Sequence, residues 1–349
     1  MNQSFQNIFI ESIAACVPKG KISGTHFEDS IEGKELRKFE RTTGILERRY
    51  VDENTMASDL GFVAAQKILR EQKCGSEVKA LIFLSQTSDY KIPFTSNILQ
   101  DKLGLSKEIL CLDINAGCAG FVQGLSVAYS IANTIKGKVL FVVAETLSKI
   151  LSPKDRSTNL LFGDGAAALL IGANENLTGV TQFNFFSDGN NYDAIIIPEG
   201  GYRKTFDENS LRWNEDENGN LKQGMHLHMD GPRVFDFTLR EIPESITKLV
   251  SEYNLNLNNI DAFLFHQSNK FIIRQIASKL KLDKNKVPLN IDRFGNTSGV
   301  SIPLLWVTES NSLKSKSKLL LSGYGSGLNW GNCMMTLSPN LKTYDLLEY

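Results

Sequence analysis

The feature that most constrains the fold of this chain is the alternation of short, continuously apolar segments with amphipathic helical patterns. The segments at 79–85, 109–114 and 138–143 are apolar and bounded by turns or polar residues, which is typical of strands that a sheet buries on both faces. Between them, 57–71 and 118–135 carry apolar residues at helical spacing. This βαβα order predicts a layered α/β fold.

The second half of the chain repeats the same order of elements. The pattern predicts, in order, a helix at 232–253, a strand at 261–265, a helix at 269–280 and a strand at 317–322. The matching order suggests two similar halves, 1–175 and 176–349, although their sequences are too different to be called a repeat. The polar, Gly- and Asn-rich stretch 200–224 is interpreted either as a solvated surface loop or as a lid over a site.

Composition excludes several classes of function. The 38 Lys and Arg residues against 39 Asp and Glu residues give a net charge of −1, so no overall field attracts nucleic acid or an anionic membrane. No stretch approaches the roughly 18 apolar residues that span a bilayer, and the first residues lack the pattern of a signal peptide. The five cysteines form no regular framework, which favours reduced thiols and a cytoplasmic location.

Cys118 is the strongest chemical signal in the sequence. A predicted strand at 110–114 leads through Asn115, Ala116 and Gly117 to Cys118, and an amphipathic helix follows. A thiol at the start of a helix faces unpaired backbone N–H groups and the positive end of the helix dipole, and both stabilise the thiolate. The small residues around it leave room for a substrate. We therefore predict that Cys118 is a nucleophile, whereas the other four cysteines fit small buried residues.

His266 is the histidine best placed to assist such a nucleophile, because it directly follows a buried strand and precedes a helix start. Polar groups just past the carboxyl ends of strands are where α/β folds build their sites. His226 and His228 alternate in MHLHM and are expected to share one strand face, but they lack further ligands at metal spacing, so no metal site is predicted. His26 is expected to be solvated.

Two further segments offer hydrogen-bond donors. Asn296 lies in a turn that leads into a helix of small residues, and its amide is a donor that does not titrate; an ordinary Asx turn is the alternative. Three glycines cluster in Gly323–Gly327 after a predicted strand. Such a segment either directs a backbone N–H to an oxyanion or forms a tight hairpin.

Six segments occur in one order along the chain: RTTGILERR at 41–49, GCAGF around Cys118, LLFGDGAAALLIG at 160–172, FHQSN around His266, FGNTSGVSIP around Asn296 and GYGSGLNWG at 323–331. Together they resemble the β-ketoacyl-ACP synthase III family of the thiolase superfamily. The resemblance runs nearly the whole length of the chain.

This resemblance implies a thiolase-like five-layered α/β/α/β/α sandwich of two similar halves, and a homodimer. It implies that Cys118 is acylated, that His266 and Asn296 hold the thioester carbonyl of the second substrate, and that the backbone N–H groups of Cys118 and Ser326 form the oxyanion hole. The chemistry is ping-pong: an acyl group moves to Cys118, and decarboxylation of malonyl-ACP then supplies the attacking carbanion. The implied partners are acyl carrier protein (ACP) and acyl thioester substrates, with no cofactor and no metal.

Four further residues are expected to bind substrate by this resemblance: Arg156, Asn269, Lys270 and Phe271. The chain also departs from the family's pattern. Lys38 or Phe39 stands near the place of a Trp that stacks on adenine in members that use acyl-CoA. Phe271 and Asp236 stand where basic residues are usual. Both CoA and ACP therefore stay open as carriers of the acyl donor.

Three other functions are alternatives to C–C condensation. A papain-like cysteine protease uses Cys, His and Asn in the same chain order, but this chain lacks the signature that surrounds its nucleophile. A non-catalytic partner subunit of a synthase heterodimer typically loses the Cys or the His, whereas this chain keeps both Cys118 and His266. Acyl transfer to an oxygen or nitrogen nucleophile on the same fold remains an alternative within the enzyme class.

Overall fold

The computed structural model describes residues 1–27, 31, 33–313 and 315–349. The α-helices of eight or more residues are α1 (Gly33–Thr43), α2 (Ala57–Gln72), α3 (Thr95–Lys102), α4 (Gly120–Ala132), α5 (Gly231–Glu252), α6 (Lys270–Lys279) and, after the single turn α7 (Ile291–Phe294), α8 (Ser301–Thr308). The strands are β1 (Asn2–Gln6), β2 (Ile8–Val17), β3 (Lys21–Ser23), β4 (Glu47–Arg49), β5 (Val78–Leu84), β6 (Leu110–Ile114), β7 (Lys138–Glu145), β8 (Gly165–Ala173), β9 (Val180–Ser187), β10 (Ile195–Ile196), β11 (Asn214–Glu215), β12 (Leu221–Lys222), β13 (His228–Met229), β14 (Ala262–Phe265), β15 (Lys318–Gly325), β16 (Asn329–Thr336), β17 (Lys342–Thr343) and β18 (Leu347–Glu348).

Two large sheets organise the molecule. The first has the order β17-β2-β8-β7-β5-β6, with β18 also pairing with β2, and the second has the order β1-β9-β16-β15-β14. In the first sheet β5 pairs in parallel with both β6 and β7, and in the second β14 pairs in parallel with β15. The ends of the chain cross over between the sheets, because β1 pairs with β9 whereas β17 and β18 pair with β2.

Helices cover both faces of each sheet, which gives five layers. Helices α2 and α3 pack on the outer face of the first sheet, α4 and α8 lie between the sheets, and α5 and α6 cover the outer face of the second sheet. The predicted five-layered α/β/α/β/α sandwich is therefore confirmed. It explains why α4 is apolar around most of its circumference, with Phe121, Leu125 and Tyr129 fully buried, since a helix between two sheets has no solvent face.

The predicted strands and helices of both halves are present, with shifts at their ends. Helix α4 begins at Gly120, two residues after the predicted start at Cys118. Strand β15 continues to Gly325, beyond the predicted end at residue 322. It passes directly over the nucleophile segment, because a Cβ on Gly325 would lie 2.5 Å from the Cβ of Cys118. Glycine is required there for close approach, not only for a turn.

No helix within the described residues combines the length and the apolar character that crossing a membrane requires. The stretch 200–224 carries a 3-10 turn and the short hairpin β11–β12. Its strand β12 packs against the segment before Arg156, since Ser152 Oγ donates to the Leu221 carbonyl at 2.6 Å.

Candidate active site

Cys118 lies between the carboxyl end of β6 and the first turn of α4, half-buried and facing two cavities. The turn is closed by a hydrogen bond from Gly120 N–H to the Gly117 carbonyl at 2.7 Å. The side-chain amide of Gln86 occupies the space that a Cβ on Gly117 would take, so any larger residue beside the nucleophile requires the Gln86 side chain to move. The predicted position at a helix start is confirmed.

The resting form of Cys118 is the neutral thiol. Burial raises the pKa of its thiol to about 11, although hydrogen bonds from the Ser298 hydroxyl and from its own N–H act in the opposite direction. The prediction that the helix start holds it as a thiolate at neutral pH is therefore wrong. Desolvation in the layer between the sheets outweighs the hydrogen bonds at the end of the helix.

His266 follows β14 directly and is buried against α8 and β15. Its Nδ1 lies 2.7 Å from Ser301 Oγ, and the Gln267 N–H also donates to that oxygen, at 3.3 Å. The Ser301 hydroxyl can donate to Nδ1 while its oxygen accepts from Gln267, and in this arrangement the proton of a neutral ring is on Nε2. Burial lowers the pKa of the His266 ring to about 3, so the ring is a neutral donor at physiological pH.

Asn296 lies just past α7, where Gly295 adopts a φ of 64°. Its backbone N–H donates to the Leu161 carbonyl at 2.8 Å, and its carbonyl accepts from Gly163 N–H at 3.0 Å. Its side-chain Oδ1 accepts from Ser298 N–H at 2.9 Å. Because the carbonyl of the side chain is engaged, the amide NH₂ is the group available to the cavity.

The three predicted residues converge on one cavity of about 150 Å³, which Cys118, His266 and Asn296 all line. Most of its remaining wall is apolar and comes from the following residues: Leu161, Phe162, Ile195, Met229, Val234, Phe235 and Ile272. The fold therefore brings together side chains that are up to 178 positions apart in the sequence, from 118 to 296. Cys118 and His266 follow the carboxyl ends of β6 and β14, and Asn296 follows α7.

A second cavity, of about 200 Å³, begins at the other side of Cys118. Its wall is again largely apolar, with Leu147, Ile150, Phe162, Leu227 and neighbouring residues. Ser326 lines this cavity, and its hydroxyl accepts from Gln86 Nε2 at 3.1 Å. The segment 323–327 forms the end of β15 and the start of the tight turn into β16, and it brings Ser326 beside Cys118. The role of the Ser326 backbone N–H as an oxyanion donor stays a prediction.

The predicted substrate-binding residues divide into two groups. Asn269 lines the cavity of His266 and caps α6 by accepting from Ile272 N–H at 2.8 Å. Phe271 is 42% exposed and stacks on Phe235, which lines the same cavity, with ring centroids 6.0 Å apart. These two residues, with Lys270 between them, lie at the rim of the site.

The other substrate-binding residue, Arg156, is engaged within the protein. Its guanidinium forms an ion pair with Glu35 of α1 at 3.3 Å and donates to the Asn218 carbonyl at 2.9 Å. Lys38 and Phe39 also lie on α1. The structure does not bring Arg156 into either cavity that Cys118 lines, and its role toward substrate stays a prediction.

His226 and His228 do not share a strand face, and that expectation is wrong. Only His228 belongs to a strand, β13. Both rings turn instead toward the backbone of Gln223, whose N–H donates to His226 Nδ1 at 3.0 Å and whose carbonyl lies 3.1 Å from His228 Nε2. Across the described ranges no group of three or more His, Cys, Asp or Glu side chains is arranged to hold a metal ion.

Sequence reasoning missed several polar residues around the site. Ser298 and Ser301 contact the predicted catalytic side chains, and the Tyr324 hydroxyl donates to the His266 carbonyl at 3.2 Å. Glu145 is fully buried at the end of β7, where burial raises the pKa of its carboxyl to about 8; it accepts from Thr87 Oγ1 at 2.8 Å. A carboxylate at the end of the apolar segment KVLFVVAE was the one available signal for this last residue.

Comparisons with known proteins agree with this geometry. The family model described as 3-oxoacyl-[acyl-carrier-protein] synthase III matches residues 112–189, and the model for the C-terminal part of the same family matches residues 250–337. These two ranges contain the nucleophile segment of one half and the His and Asn segments of the other.

Relatives of full length are also similar. The β-ketoacyl-[acyl-carrier-protein] synthase III of Clostridioides difficile is 34% identical over 92% of this chain and 96% of its own length. That of Fusobacterium nucleatum is 32% identical over 95% of this chain and 98% of its own length. The crystal structure of a 3-oxoacyl-(acyl-carrier protein) synthase from Burkholderia xenovorans superposes with a TM-score of 0.92 at 33% identity, covering 100% of this chain and 99% of that one.

Proposed function

Because the chain belongs to the 3-oxoacyl-[acyl-carrier-protein] synthase III family, we propose that it is an acyltransferase that joins an acyl group carried on Cys118 to a two-carbon unit from malonyl-ACP. The observation that carries this proposal is the single cavity lined by Cys118, His266 and Asn296. It supplies a nucleophile and two neutral hydrogen-bond donors within one apolar enclosure.

In the first half-reaction the Cys118 sulfur attacks the carbonyl carbon of an acyl thioester. The new bond joins the acyl carbon to the Cys118 sulfur, the old thioester bond breaks, and the carrier thiol leaves with the proton that the Cys118 thiol gives up. The tetrahedral oxyanion is stabilised by the backbone N–H groups of Cys118 and Ser326, which flank the second cavity.

In the second half-reaction the malonyl thioester carbonyl accepts hydrogen bonds from His266 Nε2–H and from the Asn296 amide. Breaking of the bond to the carboxylate releases CO₂ and places negative charge on this carbonyl oxygen, as an enolate. The two donors stabilise that charge without a metal, and they are more effective in an apolar cavity than in water. The enolate carbon then attacks the acyl carbon of the Cys118 thioester. The new C–C bond gives 3-oxoacyl-ACP, and the bond between the acyl carbon and the Cys118 sulfur breaks. Cys118 leaves as a thiolate, which takes up a proton from solvent.

Neutrality of both donors supports this division of roles. A His266 ring with a pKa near 3 does not deprotonate Cys118 in the resting enzyme to form a lasting thiolate–imidazolium pair. It is suited to donate a hydrogen bond to a developing oxyanion. The resting site thus holds a thiol, a neutral imidazole and a carboxamide, a set that needs no metal and no cofactor for the proposed chemistry.

The two cavities suggest where each substrate lies. The cavity beyond Ser326, with Leu147, Ile150 and Leu227 in its wall, suits the apolar chain of the acyl group. The cavity of His266 and Asn296 reaches Asn269 and Phe235, and it suits the arm of the carrier that bears the malonyl group.

The carrier of the acyl donor is proposed to be ACP. The exposed Phe271 and the neighbouring Lys270 form the rim where a carrier protein would dock. Arg156 is already paired with Glu35, and nothing on α1 supplies the stacking tryptophan of acyl-CoA-using relatives. These features favour a carrier that does not depend on adenine recognition.

A homodimer is proposed from an exposed sheet edge. Strand β6 is the last strand of its sheet, and Leu110 at its start is 51% exposed. Tyr90 and Ile92 are also exposed. An edge strand with uncovered apolar residues is suited to pair with a second copy of itself. All five cysteines are free thiols, which is consistent with the cytoplasmic location that we propose.

The test of the proposed function is a two-substrate assay. Purified protein is incubated with malonyl-ACP and a panel of acyl donors on ACP or on CoA, while CO₂ and 3-oxoacyl-ACP are quantified. The proposal expects one CO₂ for each 3-oxoacyl-ACP formed, with acyl-ACP preferred over acyl-CoA. Acyl transfer to an added sugar or amine without release of CO₂ would overturn it in favour of O- or N-acylation.

A further inference from the structure

Ser298 contacts two of the three side chains of the cavity, each through a different group. Its hydroxyl oxygen lies 3.5 Å from Cys118 Sγ, and its backbone N–H donates to Asn296 Oδ1 at 2.9 Å. The residue therefore links the nucleophile to one of the two proposed carbonyl donors.

The backbone of Ser298 is held in an unusual conformation. Its φ is 51°, in the left-handed region that residues with a Cβ enter at a cost and that glycine enters freely. The residue is 1% exposed, so its surroundings keep it there. Strained residues of this kind cluster at functional sites. A serine where glycine would be less strained indicates that the side chain itself is used.

We propose that Ser298 is a positioning residue, which holds Cys118 through its hydroxyl group and the carbonyl donor Asn296 through its backbone N–H. The inference rests on the proposed function of Cys118 and Asn296 and adds the residue that fixes their mutual arrangement. The Ser298 N–H engages the oxygen of the Asn296 side chain, so the Asn296 amide nitrogen faces the substrate.

The hydroxyl group has a separate consequence for the nucleophile. The ionisable groups that influence or face Cys118 are Glu145 at the end of β7, which disfavours the thiolate, and His266 and Tyr324, which line the same cavity. None of these is a cation at neutral pH. The Ser298 hydroxyl therefore supplies the side-chain hydrogen bond that stabilises the thiolate as it forms. Loss of this bond is expected to slow every reaction that passes through the thiolate.

The first test measures alkylation of Cys118 by iodoacetamide between pH 7 and 9, followed by intact mass. The full-length parent is compared with Ser298→Ala, with Cys118→Ala to identify the modified residue. We expect alkylation to be about tenfold slower in Ser298→Ala, equivalent to a rise of about one unit in the thiol pKa. The matched control is Ser245→Ala, which also loses a buried, hydrogen-bonded hydroxyl but lines neither cavity of Cys118, and it should alkylate at the parent rate.

Equal alkylation rates in the parent and Ser298→Ala would overturn the role of the hydroxyl. So would an equal slowing in Ser245→Ala, because it would indicate a general effect of losing a buried hydroxyl group. This assay uses no acyl thioester, so it reports on the contact between the Ser298 hydroxyl and the Cys118 sulfur even if the protein proves to have another activity. Failure of the synthase assay and failure of this inference are therefore distinguishable.

The second test uses Ser298→Gly, which keeps the N–H and the carbonyl and fits the left-handed conformation without strain. It also provides a folded variant should Ser298→Ala fold poorly. We expect slow alkylation, as in Ser298→Ala, but decarboxylation of malonyl-ACP within about threefold of the parent. A loss of decarboxylation as large as that of Asn296→Ala would contradict the role of the Ser298 backbone in holding Asn296.

Discussion

Replacement of Asn296 by alanine tests the proposed division of labour between the two half-reactions. The variant removes one of the two donors that face the carbonyl of the malonyl thioester. Loss of a single donor from an oxyanion site costs about 3–4 kcal/mol of transition-state stabilisation, a decrease of roughly 10²–10³ in rate. His266 remains as the second donor, so decarboxylation should be slowed strongly but not abolished.

The same substitution has a predictable effect on stability. Asn296 is 6% exposed, and its Oδ1 accepts from the buried Ser298 N–H at 2.9 Å. Alanine leaves this N–H without its acceptor, which costs about 1–3 kcal/mol. The matched control is Asn290→Ala, because Asn290 is also buried and loses a side-chain hydrogen bond to Thr308 Oγ1, but it lines neither cavity of Cys118.

The assay separates the half-reactions on folded protein, with urea unfolding as the measure of stability. Acylation of Cys118 is followed by intact mass, and decarboxylation by CO₂ release from malonyl-ACP. Asn296→Ala should acylate at near the parent rate and lose decarboxylation, whereas Asn290→Ala should lose stability and keep both. If Asn296→Ala lost both half-reactions equally, or kept decarboxylation within a few-fold of the parent, the assignment of Asn296 to the malonyl carbonyl would be refuted.

The remaining predictions concern the nucleophile, the acid response and the core. Cys118→Ala should abolish acyl labelling in intact-mass spectra while the fold is kept, and Cys111→Ala should label normally; persistent label in the first variant would exclude Cys118. Because burial lowers the pKa of His266 from 6.5 to about 3, the unfolded chain protonates this ring at a higher pH than the folded chain does. The contribution of His266 to stability is therefore complete above pH 6.5 and is lost as the pH falls toward 3. The expected slope is up to about 1.4 kcal/mol per pH unit; urea unfolding of parent and His266→Gln at pH 7 and 5 checks it, and equal losses in both would contradict it. Phe141→Ala should cost about 3–5 kcal/mol of unfolding free energy, since the fully buried ring stacks on Phe121 between the sheets; a loss below about 1 kcal/mol by urea unfolding would argue against that packing.

The sequence predicted secondary structure best for strands that are buried on both faces, because such positions accept almost only apolar residues. Strands β5 and β7 are apolar on both faces because helices cover both sides of their sheet, and a continuous apolar run reports that situation directly. The pairing of β1 with the distant β9 could not be predicted, since it depends on where the ends of the chain lie after both sheets have formed.

The candidate site was predictable as a set of residues but not as an electrostatic environment. Cys118, His266 and Asn296 each follow a strand or turn whose signature is local. The protonation state of Cys118 depends instead on how deeply the two sheets enclose it, and this overrode the local effect of the helix start. The hydrogen bond from Ser298 N–H to Asn296 is local, as in an Asx turn, but the contact of Ser298 with Cys118 arises only from tertiary packing and could not be predicted.

The proposed acylation of Cys118 is tested most directly by a crystal structure of the enzyme after reaction with an acyl thioester. We expect an acyl group on the Cys118 sulfur, with its chain in the cavity beside Leu147 and Leu227. The thioester oxygen should lie about 3 Å from the backbone nitrogens of Cys118 and Ser326. An acyl group on another residue, or a thioester oxygen bound by His266 and Asn296 instead, would refute the proposed roles of these residues.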